Sequence, residues 1–420
     1  MKKLHCLLGA LLVLFLATPS RAQTPAPPAD EEKRDPVGVF QNDGILIFES
    51  PDQQFKWWLD GRVMLDAAAY FNSDNVLANG AELRRGRFAM NFNLWKTWAA
   101  QFDVDFADSA VAVKDAWIGY SGVKNSLIRA GHFRAPFGLE TLTSSRYITF
   151  MERALTDNFS PDRRLGVAWS YWQNRWHAEA GFFGPALEDS VDTIGQDQTH
   201  SVTARVSGRP FLTAKNFLHL GAAMSMMQPK AAANAALTDA NRWRVRARPE
   251  SHVNRGRFID TGQVTQVDHA SLYGLEAAAV FGPLSLQSEY NRETLRRTVD
   301  TLPEPTYEGW YAFASWFPTG DRRPYDNVSG EFVRVVPKHA RGALELVARY
   351  STMDLNDFDA NVRGGKEEIV TVGANWYANA NIRLMLNVLN VTNDQYATGD
   401  RKYITGDKFN VVQMRLQLNF

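Results

Sequence analysis

The last ten residues, VVQMRLQLNF, alternate without a break. Val412, Met414, Leu416, Leu418 and Phe420 fall on one face, and Gln413, Arg415, Gln417 and Asn419 on the other. Successive side chains of an extended backbone point to opposite faces, so this is a strand with one apolar and one polar side. The pattern recurs in Phe102/Val104/Phe106 against Gln101/Asp103/Asp105, and in Val202/Ala204/Val206 against Ser201/Thr203/Arg205. It recurs again in Leu344/Leu346/Ala348/Tyr350 against Glu345/Arg349, and in Leu384/Leu386/Val388 against Arg383/Asn387. Helical periodicity is nowhere sustained. Such strands suit a soluble sandwich, or a barrel with lipid outside and water inside.

Taking each alternating run as one strand gives sixteen, beginning near Trp58, Leu83, Trp98, Ala112, Ser126, Gly166, Trp176, Ser201, Phe217, Ala270, Ser285, Tyr307, Ala343, Glu368, Asn381 and Phe409. An even count puts both ends of the barrel on the periplasmic side, and sixteen strands leave an aqueous lumen. Alternate connections are short, around Lys96-Thr97, Val123–Asn125, Gln173–Arg175, Gly282-Pro283 and Ala378–Ala380, as periplasmic turns are. Trp95/Trp98, Trp172/Trp176 and Trp376 with Tyr377 bracket three of these turns, where an aromatic girdle belongs. The predicted fold is all-β: a 16-stranded antiparallel transmembrane β-barrel over residues 55–420, with long loops folded into the lumen.

The opening segment supports export. Lys2 and Lys3, an apolar stretch from Leu7 to Ala17 and then Ser20-Arg21-Ala22 have the layout of a cleavable signal over residues 1–22. The only cysteine, Cys6, lies inside it, which leaves no disulfide framework. Thr24 to Arg34, TPAPPADEEKR, reads as a disordered stretch within a periplasmic N-terminal leader over 23–54. Removing Lys2, Lys3 and Arg21 takes Lys+Arg from 46 to 43 against 46 Asp+Glu, a net charge of −3. Global charge therefore attracts no polyanion, and export with near-neutral charge argues against nucleic acid as a partner.

Three connections are too long to be simple links: Pro136 to Leu165, Met227 to Asp268 and Pro318 to Gly342. Long connections in a compact fold are usually functional or disordered. The strand count makes the first two extracellular and the third periplasmic. The first carries Arg146, Arg153, Arg163 and Arg164. The second carries Arg242, Arg244, Arg246 and Arg248 in NRWRVRARPE, a spacing that sets four guanidinium groups in one row if the backbone is extended. A solvated charge run is the plainer reading of such a row. By parity the wall presents seven lumen-facing arginines, including Arg62, Arg85, Arg205 and Arg349, against eight carboxylates. That is a nearly unselective tube, so anion preference requires basic loops inside the lumen, where rows of Arg replace part of an anion's hydration.

Several segments in order are similar to the phosphate-selective porin O and P family of Gram-negative outer membranes. They are AGHFRAPFGLE (Ala130–Glu140), SSRYITFMER (Ser144–Arg153), RARPE (Arg246–Glu250), RGALELVARYS (Arg341–Ser351), GANWYANANIRLMLN (Gly373–Asn387) and the terminal strand. The resemblance implies a homotrimer of sixteen-stranded barrels in outer-membrane lipid that conducts phosphate-like anions or their oligomers without a cofactor. It implies that Arg242, Arg244, Arg246 and Arg248 begin an anion filter, which Arg62, Arg85, Arg205 and Arg349 continue along the wall and Arg146 and Arg153 extend from the first long connection. The family also places a lysine at the narrowest point. The first long connection contains none, and parity groups Lys114 with Ala116, Ile118 and Tyr120 on the lipid side.

The function expected is passive diffusion of anions, phosphate or polyphosphate, through an arginine-lined pore. The alternative is a general or other-solute porin of the same fold without strict anion selectivity. An enzyme is not expected: His200 and His219 lie on neighbouring strands, but no GxSxG or HExxH occurs. Asp103/Asp105 at strand spacing is too small a donor set for Ca²⁺, which needs about 6–8 oxygens.

Overall fold

In the computed structural model, which describes residues 38–42, 45–187, 196–232 and 241–420, sixteen strands form a closed antiparallel barrel. The expected export signal and most of the expected leader lie outside the described residues. The barrel strands are β1 (Phe55–Phe71), β2 (Gly80–Leu94), β3 (Trp98–Asp105), β4 (Ala112–Tyr120), β5 (Ser126–Arg134), β6 (Arg163–Trp172), β7 (Trp176–Phe183) and β8 (His200–Leu212). They continue as β9 (Asn216–Gln228), β10 (Val267–Phe281), β11 (Leu284–Arg297), β12 (Thr306–Trp316), β13 (Ala343–Asp357), β14 (Val362–Tyr377), β15 (Ile382–Asn393) and β16 (Lys408–Asn419). Each sequence-derived strand is present. The largest displaced start is that of β14, at Val362 rather than Glu368, because the polar run before Glu368 still pairs with β13.

β16 closes the ring on β1, with Asn410 opposite Phe71 and Asn419 opposite Arg62. Gly61 and the terminal Phe420 exchange backbone hydrogen bonds at the end of this seam, at 2.7 and 3.1 Å. Beyond it β1 runs on, and a hairpin of Gly38–Asn42 and Ile45–Glu49 pairs with its free edge through Ile47↔Trp58 and Glu49↔Lys56. This covers backbone groups that would otherwise be an open edge.

Burial is inverted relative to a soluble core. On β16 Val412, Met414, Leu416 and Leu418 are exposed, while Gln413, Arg415, Gln417 and Asn419 are buried. The outer surface is therefore a hydrocarbon-facing belt and the interior is polar. Trp95, Trp98, Trp176, Trp316 and Trp376 face outward near the short turns. Trp172 and Tyr377 do not join them: Trp172 lines an interior cavity, and the Tyr377 hydroxyl donates inward to Glu345 at 2.8 Å.

Alternation is interrupted at three places in neighbouring strands. Met64 pairs with Arg85 but Leu65 with Leu83, leaving Arg84 as an extra residue in β2. Asp103 pairs with Asp115 but Val104 with Val113, leaving Lys114 extra in β4. In β5 Gly131 takes φ 134°, and a Cβ there would lie 2.3 Å from the Ala116 carbonyl oxygen, so only glycine fits. Bulges and such glycines re-aim the side chains around them.

Two connections enter the lumen from opposite rims. The segment 135–162 between β5 and β6 crosses it, carrying one helical turn at Leu139–Leu142. Its Phe137, Leu139, Phe150 and Leu155 are fully buried, each contributing roughly 1.5–3 kcal/mol of apolar burial. The segment 317–342 between β12 and β13 enters from the short-turn rim with a small Tyr325–Asp326/Glu331–Phe332 ladder, and Phe332 meets Leu139 in one cluster. The described stretch 241–266 of the connection between β9 and β10 lies over the mouth. Its Trp243, Val245 and Ala247 turn into the largest apolar cluster, so the arginines between them take the opposite face.

Candidate functional site

Two sizeable cavities lie beside the inward segment 135–162, both against the wall from β1 to β7. The outer one, ≈ 470 Å³, is bounded by β2, β4, β5 and β6, by Glu152–Asp162, and by Arg248–His252 from above. Arg84, Arg85, Arg87, Lys114, Arg134, Arg153, Arg163 and Arg248 line it, eight cations against the four carboxylates Glu152, Asp157, Asp162 and Glu250. The inner one, ≈ 340 Å³, reaches towards the short turns, with Arg62, Arg129, Arg134, Arg146 and Arg163 against Asp103, Asp115, Glu179 and Glu331. Arg134 and Arg163 line both.

The three breaks in alternation explain why this wall is more basic than parity indicates. The bulge in β2 puts Arg84 beside Arg85 on the lumen side, the bulge in β4 does the same for Lys114 beside Asp115, and Gly131 allows His132 and Arg134 to line the outer cavity. The parity assignment of Lys114 to the lipid side is thus corrected. A rule of strict period two cannot detect a bulge, although Gly131 inside a strand pattern is a signal of a close backbone approach.

Pairing tempers each charge without removing it. Arg163 donates to Asp115 through Nη2 at 2.8 Å and Nε at 3.2 Å. Arg134 holds Asp162 and the Leu142 carbonyl only at 3.4 and 3.3 Å. Arg87 pairs with Asp105 at 2.8 Å, and Arg62 reaches Asp103 at 3.3 Å and Ser145 Oγ at 2.9 Å. Asp103 and Asp105 are therefore engaged by arginines.

The ten predicted site residues separate into three groups. Arg62, Arg85, Arg146, Arg153 and Arg248 line the cavities. Arg146 is 3.1 Å from Asp60, and Arg153 donates to the Glu140 and Thr143 carbonyls at 2.7 and 2.8 Å. Arg242, Arg244 and Arg246 lie higher and line neither cavity. Arg244 is bound to Asp260 at 2.6 Å and to Asp400 at 3.1 Å, which raises its pKa, while Arg246 is exposed. Burial, with Arg248 and Arg246 beside it, pulls the Arg257 pKa down to about 10. Arg205 and Arg349 depart from the expected continuation along the wall. Arg205 forms a two-point pair with Glu276 at 2.8 Å and donates to the Gly330 carbonyl at 3.0 Å. Arg349 is enclosed by Glu140, Glu250 and the Glu152 carbonyl. Both are buried and line neither cavity. Arg84, Arg87, Arg129, Arg134, Arg163 and Lys114 are the lining cations the predicted site lacked.

Away from the cavities the inward segment is fastened to the wall. Glu289 on β11 accepts the backbone N–H of Leu139 at 2.9 Å and of Glu140 at 2.7 Å. Arg383 donates to the Ile148 and Thr149 carbonyls at 2.8 Å each, Arg415 to Met151 at 2.5 Å, and Gln417 to Arg146 at 2.9 Å. A loop buried in a barrel has backbone groups that water cannot reach, and these wall side chains satisfy them. Within the segment, burial pushes the Glu140 carboxyl up to about 7, against the pull of Arg349.

Residues 58–420 match the family described as phosphate-selective porin O and P. An uncharacterised protein of Caulobacter vibrioides is 33% identical over 398 residues, covering 90% of this chain and 76% of that protein. Porin O of Pseudomonas aeruginosa is 24% identical over 382 residues, covering 82% and 85%. Among solved structures, an anion-selective porin from Comamonas acidovorans aligns at TM-score 0.53 with 15% identity, over 87% of this chain and all of that one, a likeness of fold. Barrel, hydrocarbon-facing belt and sequence match together place the protein in the Gram-negative outer membrane as a diffusion channel, and the chain belongs to the phosphate-selective porin O and P family.

Proposed function

We propose that anions, phosphate-like ones foremost, cross the barrel through the two cavities between the segment 135–162 and the wall of β1–β7. The observation that carries this is the outer cavity, where eight Arg and Lys side chains face four carboxylates and Arg134 and Arg163 are shared with the lining of the inner cavity. Guanidinium forks match phosphate oxygens in pairs and keep their charge across the working pH range. Several moderate sites in series let an anion leave as readily as it enters. Arg248 belongs to the path itself, and Arg242, Arg244 and Arg246 act at the mouth by raising the local concentration of anions. The assembly proposed is a homotrimer, as the family implies.

The inner cavity favours a second reading. Its five arginines face four carboxylates, a balance that discriminates weakly and suits a broader small-solute porin. Reversal potential across a planar bilayer with a KCl gradient separates the two. Chloride preference that weakens on adding phosphate to one side is expected. Equal permeability, or preference for potassium, would establish the broader reading.

A further inference from the structure

Three arginines of the wall converge on a carboxylate that the chain itself supplies. Glu152, on the inward segment, receives Arg84 through Nε on one oxygen and Nη2 on the other, each at 2.8 Å. Arg415 Nη2 adds a third bond at 2.8 Å, and Arg85 Nη1 stands 3.7 Å from the same oxygen. Arg415 already holds Asp66 with two bonds of 2.7 Å, whereas Arg84 and Arg85 have no other carboxylate within 4 Å among the described residues. The Glu152 side chain, 15% exposed, lies in the lining of the outer cavity. Its backbone is fixed independently, because Arg349 donates to its carbonyl twice at 3.1 Å. The side chain is thus a short arm on a rigid base. Burial pushes the Glu152 carboxyl up, but the three arginines outweigh burial and hold it well below the usual range, so the arm is charged.

We infer that Glu152 is a tethered anion seated in the docking position of the solute on Arg84 and Arg85, and that it determines how tightly the outer cavity holds a passing oxyanion. This rests on reading the cavities as an anion path and adds to it a specificity-determining residue. A fork that binds both oxygens of a carboxylate binds two oxygens of a phosphate equally well. A group on a short tether competes at an effective concentration in the millimolar range or above, so it raises the apparent Kd of the free anion without deleting the site. The solute displaces the arm on arrival, and the arm displaces the solute on departure. Such exchange gives recognition without trapping, which throughput requires.

The test is half-block of chloride current by inorganic phosphate through single channels, for the wild type and for Glu152→Gln, Asp157→Asn and Arg84→Gln. Asp157 lines the same cavity but is paired with Thr141 and Arg153, away from Arg84. Glu152→Gln is expected to lower the half-blocking concentration at least about fivefold and lengthen each block, against less than about twofold for Asp157→Asn, since only the former releases a competitor. Arg84→Gln is expected to raise it several-fold, and this variant decides the matter if Glu152→Gln does not yield folded barrels on an unheated gel. Equal effects of Glu152→Gln and Asp157→Asn, or no effect of Arg84→Gln, would overturn the inference. A wild-type channel without anion preference sinks the path itself, whereas an anion-preferring wild type indifferent to Glu152→Gln sinks only the tethered anion.

Discussion

The lumen has two sides built largely from the same residue type. Along β1–β7 the guanidinium groups of Arg84, Arg87, Arg134 and Arg163 border open space. Along β13–β16, Arg349, Arg383 and Arg415 are buried and each donates to carbonyls of the inward segment, with Arg349 and Arg415 also paired to carboxylates. What differs is the element opposite each arginine. Facing backbone, an arginine satisfies acceptors that water cannot reach and becomes a fastener. Facing a cavity, it is paired with a carboxylate yet still borders open space. Counting arginines on the wall therefore overstates the cavity lining, and counting by parity misses part of it.

The comparison breaks most visibly at the two arginines that line both cavities. Replacing Arg134 and Arg163 together by Gln leaves Asp115 and Asp162 without their arginines, and the anion-to-cation permeability ratio is expected to fall about tenfold or more, equivalent to about 1.4 kcal/mol. An unchanged reversal potential would mean that the path lies elsewhere. A fastener should behave differently. Glu289→Ala orphans two buried amides at about 1–3 kcal/mol each, so it is expected to lower the melting temperature and add current flicker while shifting the ratio by less than about twofold. A large change of selectivity without flicker would erase the distinction between the two sides.

The smallest expected effect is of pH on the packed side. The folded pKa of Glu140 is raised from the ordinary 4.5 to about 7 by burial, so its contribution to stability is complete below about pH 4.5 and is lost as pH rises through 7. The melting temperature is expected to fall by about 2 °C between pH 5 and pH 8, and Glu140→Gln to flatten that dependence. A wild-type profile that is flat or rises over this window contradicts the assignment.

The barrel was legible because lipid outside and water inside impose period two on every strand, and all sixteen runs survive as strands. The side of the lumen that holds the two cavities was not. Arg205 and Arg349 have the right parity, but Glu276, and Glu140 with Glu250, which engage them, come from distant parts of the chain. Arg84 and Lys114 have the wrong parity for an unbroken strand, and only the register of β1 and β3 beside them reveals the extra residue. The row from Arg242 to Arg248 was visible as a row, yet its height above the cavities depends on how Trp243, Val245 and Ala247 pack beneath it.

The bulges in β2 and β4 bear on how such a channel diversifies. In an unbroken strand every position answers to one master, lipid or water, and a one-residue shift exposes a whole row of side chains to the wrong solvent. A bulge localises that shift to one position and returns the strand to register beyond it. Inserting or deleting a single residue at Arg84 or Lys114 would change the inventory of the passage by one side chain while the outer belt on either side kept its composition. Pore chemistry at these points can vary independently of membrane fit, so length differences among relatives in β2 and β4 should track solute preference more closely than substitutions along the regular strands do.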